Sequence, residues 1–335
     1  MSPTAAADIG GPYFEDLRIG DRLGAPALTL TSGHAALHQA VLGDRTTATL
    51  DHALARTVFG GIVPAPPGLV VDVSIGHSSV LTRRVRANLF YRGLQLHRLP
   101  AIGDTLHTRT EVVALKQNRS RPDRPATGLA VLRIRTADGD GRPVLDFERC
   151  AMLPLHDSAA RTGHEDDVNA GRAEVDMDGV TELASGWDLG ALREAVEGPH
   201  AAQLSVGDRF EIDVADPVTG ATELSRLTLN LATVHHDPRA TGTGFRLVYG
   251  GHAIGLAAHQ AARALPGLAA VLAWHGCDHP APVREEDLLT SSVTVEDLRP
   301  LPDGGALAGL RSVVTAHREA WSGEVLDWRF VAALA

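Results

Sequence analysis

A similar series of apolar and polar segments occurs once in each half of the chain. Residues 251–265 are apolar on nearly every side of a helix, which predicts a buried helix. Strand-like runs follow this helix, and the first half has a matching set. These six runs span 106–115, 128–137, 144–153, 288–298, 306–317 and 324–334. Further helices are predicted at 32–42 and 222–233. A buried helix followed by antiparallel strands predicts an α+β fold whose sheet wraps round the helix.

Short motifs recur in the same order in the two halves, which indicates two copies of one unit. The matched pairs are Ile19-Gly20-Asp21-Arg22-Leu23 with Val206-Gly207-Asp208-Arg209-Phe210, Phe59-Gly60-Gly61 with Tyr249-Gly250-Gly251, Tyr91-Arg92-Gly93 with Trp274-His275-Gly276, and Val144-Leu145-Asp146-Phe147 with Val325-Leu326-Asp327-Trp328. The pairs predict a first domain over 11–155 and a second over 200–335. The connecting segment, 156–199, is rich in Asp, Glu, Gly and Ala up to residue 180, and a short helix is predicted after Trp187.

Composition narrows the class of protein. The 335 residues are 44% hydrophobic and 21% charged, which is typical of globular domains. A net charge of -10 without a basic stripe argues against a nucleic-acid partner. Cys150 and Cys277 lie in different halves, so no disulfide framework is expected and a reducing compartment is the default. No apolar run is long enough for a membrane span and the first 12 residues lack the apolar core of a signal peptide, so a cytoplasmic protein is expected.

The second copy contains a candidate catalytic segment. His235 titrates near neutrality and can take or give a proton, and Asn230 can hold a water molecule by hydrogen bonds. Gly250 and Gly251 allow close approach of the backbone to a ligand. A helix beginning there would direct free N–H groups at a developing oxyanion. The alternative is a solvated loop followed by an ordinary tight turn.

The first copy differs at the corresponding positions. Asp44 takes the place of Asn230, and Thr49 takes the place of His235. A threonine cannot act as a general base, so the second copy is predicted to be catalytic. The first copy is then expected to shape the pocket.

With these motifs the chain resembles the MaoC-like acyl dehydratases, the (R)-specific enoyl-CoA hydratases, in their double hot-dog form. The resemblance is carried by Phe14-Glu15-Asp16-Leu17-Arg18-Ile19-Gly20-Asp21, Leu42-Gly43-Asp44, Phe59-Gly60-Gly61, Arg119-Ser120-Arg121-Pro122-Asp123-Arg124, the segment from Asn230 to His235, and Arg246-Leu247-Val248-Tyr249-Gly250-Gly251-His252. The last run is most similar to the mesaconyl-CoA hydratase branch. The resemblance implies two tandem hot-dog domains, each a long helix wrapped by an antiparallel sheet. It also implies a hydro-lyase that adds water reversibly, in a syn sense, across the double bond of a short or branched 2-enoyl-CoA.

The family motif pairs an Asp with a His in a D-x4-H spacing, and both activate the water. Here Asn230 stands at the Asp position. Either His235 works as the only base, or Asp237 or Asp44 supplies the carboxylate. The amides of Gly251 and His252 are expected to hold the thioester carbonyl as it gains negative charge.

The phosphates of coenzyme A need cations. The densest basic cluster consists of Lys116, Arg119, Arg121 and Arg124, and guanidinium groups suit phosphate oxygens. A solvated hairpin tip is the alternative. Arg246 could meet a phosphate or a substrate carboxylate, or be an exposed charge at a strand end.

No cofactor is expected beyond coenzyme A, which is part of the substrate. His275, Cys277 and His279 have the residue types of metal ligands, but their spacing fits no strong zinc pattern, so no metal site is predicted. Two other functions stay open: an acyl-CoA thioesterase, since a His-activated water could attack the carbonyl, and a non-catalytic acyl-CoA-binding protein. A homodimer is compatible with the sequence.

Overall fold

A computed structural model describes residues 10–119, 124–169, 174–302 and 304–335. The first copy contains β1 (Arg22–Gly24), β2 (Leu28–Thr29), α1 (Ser32–Leu42), α2 (Thr47–Leu50), α3 (His52–Val58), α4 (Pro67–Ser78), β3 (Ala87–Leu96), β4 (Thr105–Gln117), β5 (Thr127–Ala137) and β6 (Pro143–Pro154). The connecting segment contains α5 (Met177–Ala184) and α6 (Leu189–Ala195). The second copy contains β7 (Arg209–Pro217), α7 (Ala221–Leu227), α8 (Gly250–Ala264), β8 (Leu268–Asp278), β9 (Leu288–Pro300), β10 (Ala306–Arg318) and β11 (Trp321–Leu334).

All strands of the described residues form one antiparallel sheet that runs through both copies. Its order is β1-β4-β5-β6-β3-β8-β11-β10-β9-β7, and β2 pairs with the edge of β4. The two copies meet where β3 pairs with β8, with Tyr91 opposite Cys277 and Arg92 opposite Gly276. The order on one side of this junction mirrors the order on the other. The predicted α+β class and the double hot-dog arrangement are therefore confirmed.

The six predicted strands are present, but β3 and β8 were not predicted as strands. Both are largely buried on both faces, so they lack the alternation of polar and apolar residues that marks a half-exposed strand. β8 is also rich in alanine, which has low strand propensity. These two strands join the copies, so the prediction missed the centre of the sheet.

The central helices α4 and α8 lie against the sheet, as the burial pattern predicts. α4 is buried along nearly its whole length, and α8 is buried on most of its faces. The proposed match between Gly60-Gly61 and Gly250-Gly251 is wrong as a structural equivalence. Gly250 begins α8, whereas Gly60 and Gly61 form a left-handed turn that five residues separate from the start of α4 at Pro67.

The connecting segment is packed onto the first copy. Trp187 contacts the ring of Phe59 edge to face at 4.8 Å between ring centroids. The Asp188 N–H donates to the carbonyl of Val58 at 3.0 Å. The short helix predicted after Trp187 is confirmed as α6. α5 was not predicted, because the acidic composition obscured its single buried face.

Gly76 lets α4 lie against the turn that follows α7. A Cβ atom at Gly76 would lie 2.0 Å from the carbonyl oxygen of Thr228 and 2.9 Å from its Cβ. Within a helix, alanine is normally favoured over glycine by about 1 kcal/mol. Here the obstacle is backbone, so we expect Gly76→Ala to lower the free energy of unfolding by about 1–3 kcal/mol, the range of an overpacked core.

Urea unfolding of Gly76→Ala measures this loss. Gly33→Ala is the matched control, because Gly33 is also helical and an added Cβ meets only the Thr31 hydroxyl at 3.6 Å. Equal midpoints for the two variants would contradict the close contact between α4 and Thr228.

Candidate functional site

The segment that carries Asn230 and His235 comes from the second copy but is anchored on the first. After α7 the chain turns at Leu229, whose φ of 55° is in the left-handed region, and Thr233–His235 forms a short 3-10 helix. The Leu231 N–H donates to the Ser79 hydroxyl at 2.7 Å. The Thr233 N–H donates to the carbonyl of Arg83 at 2.9 Å. The residues that follow α4 therefore position the candidate catalytic segment.

Both copies line the cavity beside this segment, whose volume is about 380 Å³. We call it the main cavity. Its polar lining residues are Ser79, Thr82, Arg86, Asn88, Tyr91 and Arg149 from the first copy, and Asn230, His235, Thr241, Thr243, Tyr249 and His279 from the second, and Gly250 also lines it. The prediction that the first copy shapes the pocket agrees with this lining.

His235 presents one ring nitrogen as a proton acceptor. Its Nδ1 donates to the carbonyl of Leu247 at 2.7 Å, which fixes the proton on Nδ1 and leaves the lone pair on Nε2. Burial lowers the pKa of His235 to about 4. The imidazole is therefore neutral near pH 7 and able to accept a proton from water.

Asn230 holds its own loop and retains a donor. Its Oδ1 accepts from the Ala232 N–H at 2.9 Å, and its backbone carbonyl accepts from His236 Nε2 at 2.7 Å. The amide oxygen is thus engaged, and the amide nitrogen is left to donate to a water or substrate oxygen. The Asn230 amide can therefore position a water or substrate molecule, but it cannot accept a proton.

Of the three predicted oxyanion residues, only Gly250 lines the main cavity. Its N–H, at the start of α8, has no hydrogen-bond acceptor among the described residues. Gly251 lines a second cavity, where a Cβ would lie 2.0 Å from Asp72 Oδ1. The His252 N–H donates to the carbonyl of Tyr249 at 2.9 Å, and its side chain is fully buried outside the cavity. Gly251 and His252 therefore do not line the main cavity, and the oxyanion role of their amides stays a prediction.

Neither candidate carboxylate stands beside His235. Asp237 forms an ion pair with Arg239 at 2.8 Å, which lowers the pKa of Asp237, and it does not line the main cavity. Asp44 lines the second cavity and accepts hydrogen bonds from Thr46 and Thr49. Among the described residues that line the main cavity, none is Asp or Glu. Of the candidate proton-transfer residues, His235 lines the main cavity and the two carboxylates do not, and the choice of base stays a prediction.

The second cavity is the first copy's counterpart of the main cavity. It lies against Asp44 and Thr46, as the main cavity lies against Asn230 and His235. Its volume is only about 70 Å³, because Trp274 and Trp328 occupy its wall. The two copies therefore differ in the volume of their cavities as well as in the residues at the corresponding positions.

Those predicted phosphate-binding cations that the structure describes do not line the main cavity. Lys116 lies near the end of β4, Arg119 and Arg124 lie between β4 and β5, and Arg121 falls outside the described residues. Arg246 forms an ion pair with Glu285. The exposed cation at the cavity is Arg86, whose Nη1 donates to the carbonyl of Ala240 at 2.6 Å. A phosphate contact by the predicted residues stays a prediction.

Tyr91, His279 and Arg149 are among the residues of the main cavity that sequence reasoning missed. Tyr91 was noticed only as a repeat motif, and burial raises its pKa. His279 was considered only as a metal ligand; burial lowers its pKa to about 4, and its ring lies 5.8 Å from that of Tyr91. Arg149 gave no signal, since it is one arginine in a strand. Only the repeat comparison could have drawn attention to Tyr91.

In the described part of the chain, no group of three or more His, Cys, Asp or Glu side chains is placed to hold a metal ion. In the same residues, no helix has both the length and the apolar surface for a membrane crossing.

A solved structure of a conserved hypothetical protein from Mycobacterium tuberculosis, which has a double hot-dog fold, is 46% identical to this chain. The alignment covers 98% of this chain and all of that one, with a TM-score of 0.88. The chain belongs to the double hot-dog proteins, as this relative does. The mesaconyl-CoA hydratase of Cereibacter sphaeroides is 28% identical over 92% of this chain and 90% of its own length. The beta-methylmalyl-CoA dehydratase of Chloroflexus aurantiacus is 27% identical over 92% of this chain and 89% of its own length. No family model matches the chain.

Proposed function

We propose that this protein is a hydro-lyase that reversibly hydrates a short or branched 2-enoyl-CoA thioester. The observation that carries the proposal is the main cavity itself, which is lined by both His235, with its free Nε2, and Gly250, whose N–H has no acceptor among the described residues. A base and an oxyanion donor in one cavity are the two groups that addition to an enoyl thioester needs. The family relatives named as a mesaconyl-CoA hydratase and a beta-methylmalyl-CoA dehydratase support a CoA thioester as substrate.

Each step of the proposed reaction uses a residue that lines the main cavity. His235 Nε2 takes a proton from water that Asn230 Nδ2 positions, and the hydroxide adds to C3 of the enoyl group. The electron pair of the double bond moves toward the thioester carbonyl, whose oxygen accepts from the Gly250 N–H as it gains charge. The imidazolium then returns the proton to C2. His235 ends neutral, and one water has been added across the double bond.

An assay with crotonyl-CoA and mesaconyl-CoA tests the proposal. Hydration removes the absorbance of the conjugated enoyl thioester without release of a free thiol, and this is the expected result. A free thiol would instead identify a thioesterase. Binding of CoA thioesters without either change would identify a non-catalytic binding protein and would overturn the proposal.

A further inference from the structure

Arg149 is a buried cation in the wall of the main cavity. It lies on β6, and only 4% of the residue is exposed. It makes no ion pair with any carboxylate of the described residues: the adjacent Glu148 pairs with Arg133, and the buried Asp72 pairs with His38. Buried charges in proteins are normally paired, so an unpaired guanidinium beside a cavity requires an explanation.

Neutral groups hold the guanidinium in place. Nε donates to the Ser78 hydroxyl at 2.9 Å. Nη2 donates to the Thr82 hydroxyl at 2.7 Å and to the Ser78 carbonyl at 3.3 Å. Nη1 donates to Asn88 Oδ1 at 3.2 Å, and its second N–H has no acceptor among the described residues. The group is thus rigidly oriented, with one donor unused.

No described residue that lines the main cavity carries a negative charge that would neutralise Arg149. Burial lowers the pKa of Arg149, but a guanidinium stays protonated in proteins. The described residues that line the main cavity include no Asp or Glu, and Arg149 is close enough to His235 for its charge to lower the pKa of that imidazole. An anion that enters the cavity would therefore meet a fixed, desolvated positive charge near the base.

We propose that Arg149 binds a free carboxylate on the acyl group of the substrate, so that the preferred substrates are CoA thioesters of dicarboxylic acids. This inference rests on the proposed function, because it assumes that the acyl group occupies the main cavity. A carboxylate of the acyl group enters the cavity together with the thioester. The phosphates of coenzyme A are larger, more strongly hydrated groups, and they suit an exposed cation such as Arg86 better than a residue with 4% exposure.

Binding of saturated, unreactive thioesters tests the carboxylate contact without relying on turnover. Succinyl-CoA and butyryl-CoA have the same chain length, and they differ by a carboxylate in place of a methyl group. Tryptophan fluorescence titration gives both dissociation constants. We expect succinyl-CoA to bind about ten- to a hundredfold more tightly, the range of a hydrogen bond between charged groups. We expect Arg149→Met to remove that difference while leaving butyryl-CoA binding nearly unchanged.

Two further variants keep the test falsifiable. Arg149→Lys retains a charge at the position, and we expect it to restore part of the preference even if Arg149→Met is poorly folded. Arg135→Met is the matched control, because Arg135 is exposed on β5 and does not line the main cavity. Equal affinity of the wild-type protein for the two thioesters would overturn the proposal. A uniform loss for both thioesters in Arg149→Met and Arg149→Lys would do the same.

Turnover of a second matched pair separates this inference from the proposed function. Fumaryl-CoA and crotonyl-CoA again differ by a carboxylate in place of a methyl group. We expect Arg149→Met to lower kcat/KM for fumaryl-CoA by about ten- to a hundredfold more than for crotonyl-CoA. Hydration of both substrates without a preference that depends on Arg149 would sink the inference and leave the proposed function standing. Selective binding of succinyl-CoA without hydration of any enoyl-CoA would support the carboxylate contact and overturn the proposed function.

Discussion

We expect His235→Ala to lower kcat for enoyl-CoA hydration by about two orders of magnitude or more, the scale of a lost general base. The main cavity contains no carboxylate among its described lining residues, so nothing beside His235 is placed to take over the proton. His279 is the other imidazole there, but its Nε2 lies 3.9 Å from the Cys277 thiol, and a backbone hydrogen bond to Val325 holds its ring. Steady-state kinetics with crotonyl-CoA measure the loss.

The control for this variant is His275→Ala. His275 is an exposed histidine on β8 and does not line the main cavity, so its replacement should leave kcat unchanged. The Michaelis constant of His235→Ala should change much less than kcat, because the proton transfer belongs to the chemical step. Full activity of His235→Ala would mean that the base has been assigned to the wrong residue.

Acid should destabilise the folded protein well above the pH at which its carboxylates titrate. Burial lowers the pKa of each of four histidines, His77, His235, His252 and His279, to about 4. In the unfolded chain the same groups titrate near 6.5. Their contribution to stability is therefore fully present above about pH 6.5 and is lost as the pH falls toward 4, because the unfolded state binds more protons.

The slope of this loss is measurable. Each fully buried histidine contributes up to about 1.4 kcal/mol per pH unit inside the window, and the partly exposed His235 and His279 contribute less. His97 opposes the trend, since its hydrogen bond to Asp146 raises its pKa. Urea unfolding at pH 7.5, 6.0 and 5.0 should show a steep fall in the free energy of unfolding.

Replacement of one histidine isolates its contribution to the pH dependence of the free energy of unfolding. His252 is fully buried, and neither of its ring nitrogens has a hydrogen-bond partner among the described residues. We expect His252→Gln to unfold with a shallower dependence on pH than the wild-type protein. A free energy of unfolding that is constant from pH 7.5 to 5.0 would show that these imidazoles are not buried in the neutral form.

Much of the architecture is encoded locally, and this is why periodicity and repeats predicted it. The buried helix α8, the six long strands and the order of the two copies all follow from residues close together in the chain. The replacement of His235 by Thr49 in the first copy can likewise be read from an alignment of the two halves. These features required no knowledge of which elements touch.

The composition of the site depends on contacts between residues far apart in the chain. Arg149 and Asn230 share a cavity although 81 positions separate them, and Tyr91 and His279 share it across 188. Asp44, which was one of two carboxylates considered as a partner for His235, lines the second cavity instead. Gly251 lies beside Gly250 in the chain but lines the second cavity, not the main cavity. Side-chain direction on a helix and the pairing of β3 with β8 decide these outcomes, and both follow from packing of the whole molecule rather than from local pattern.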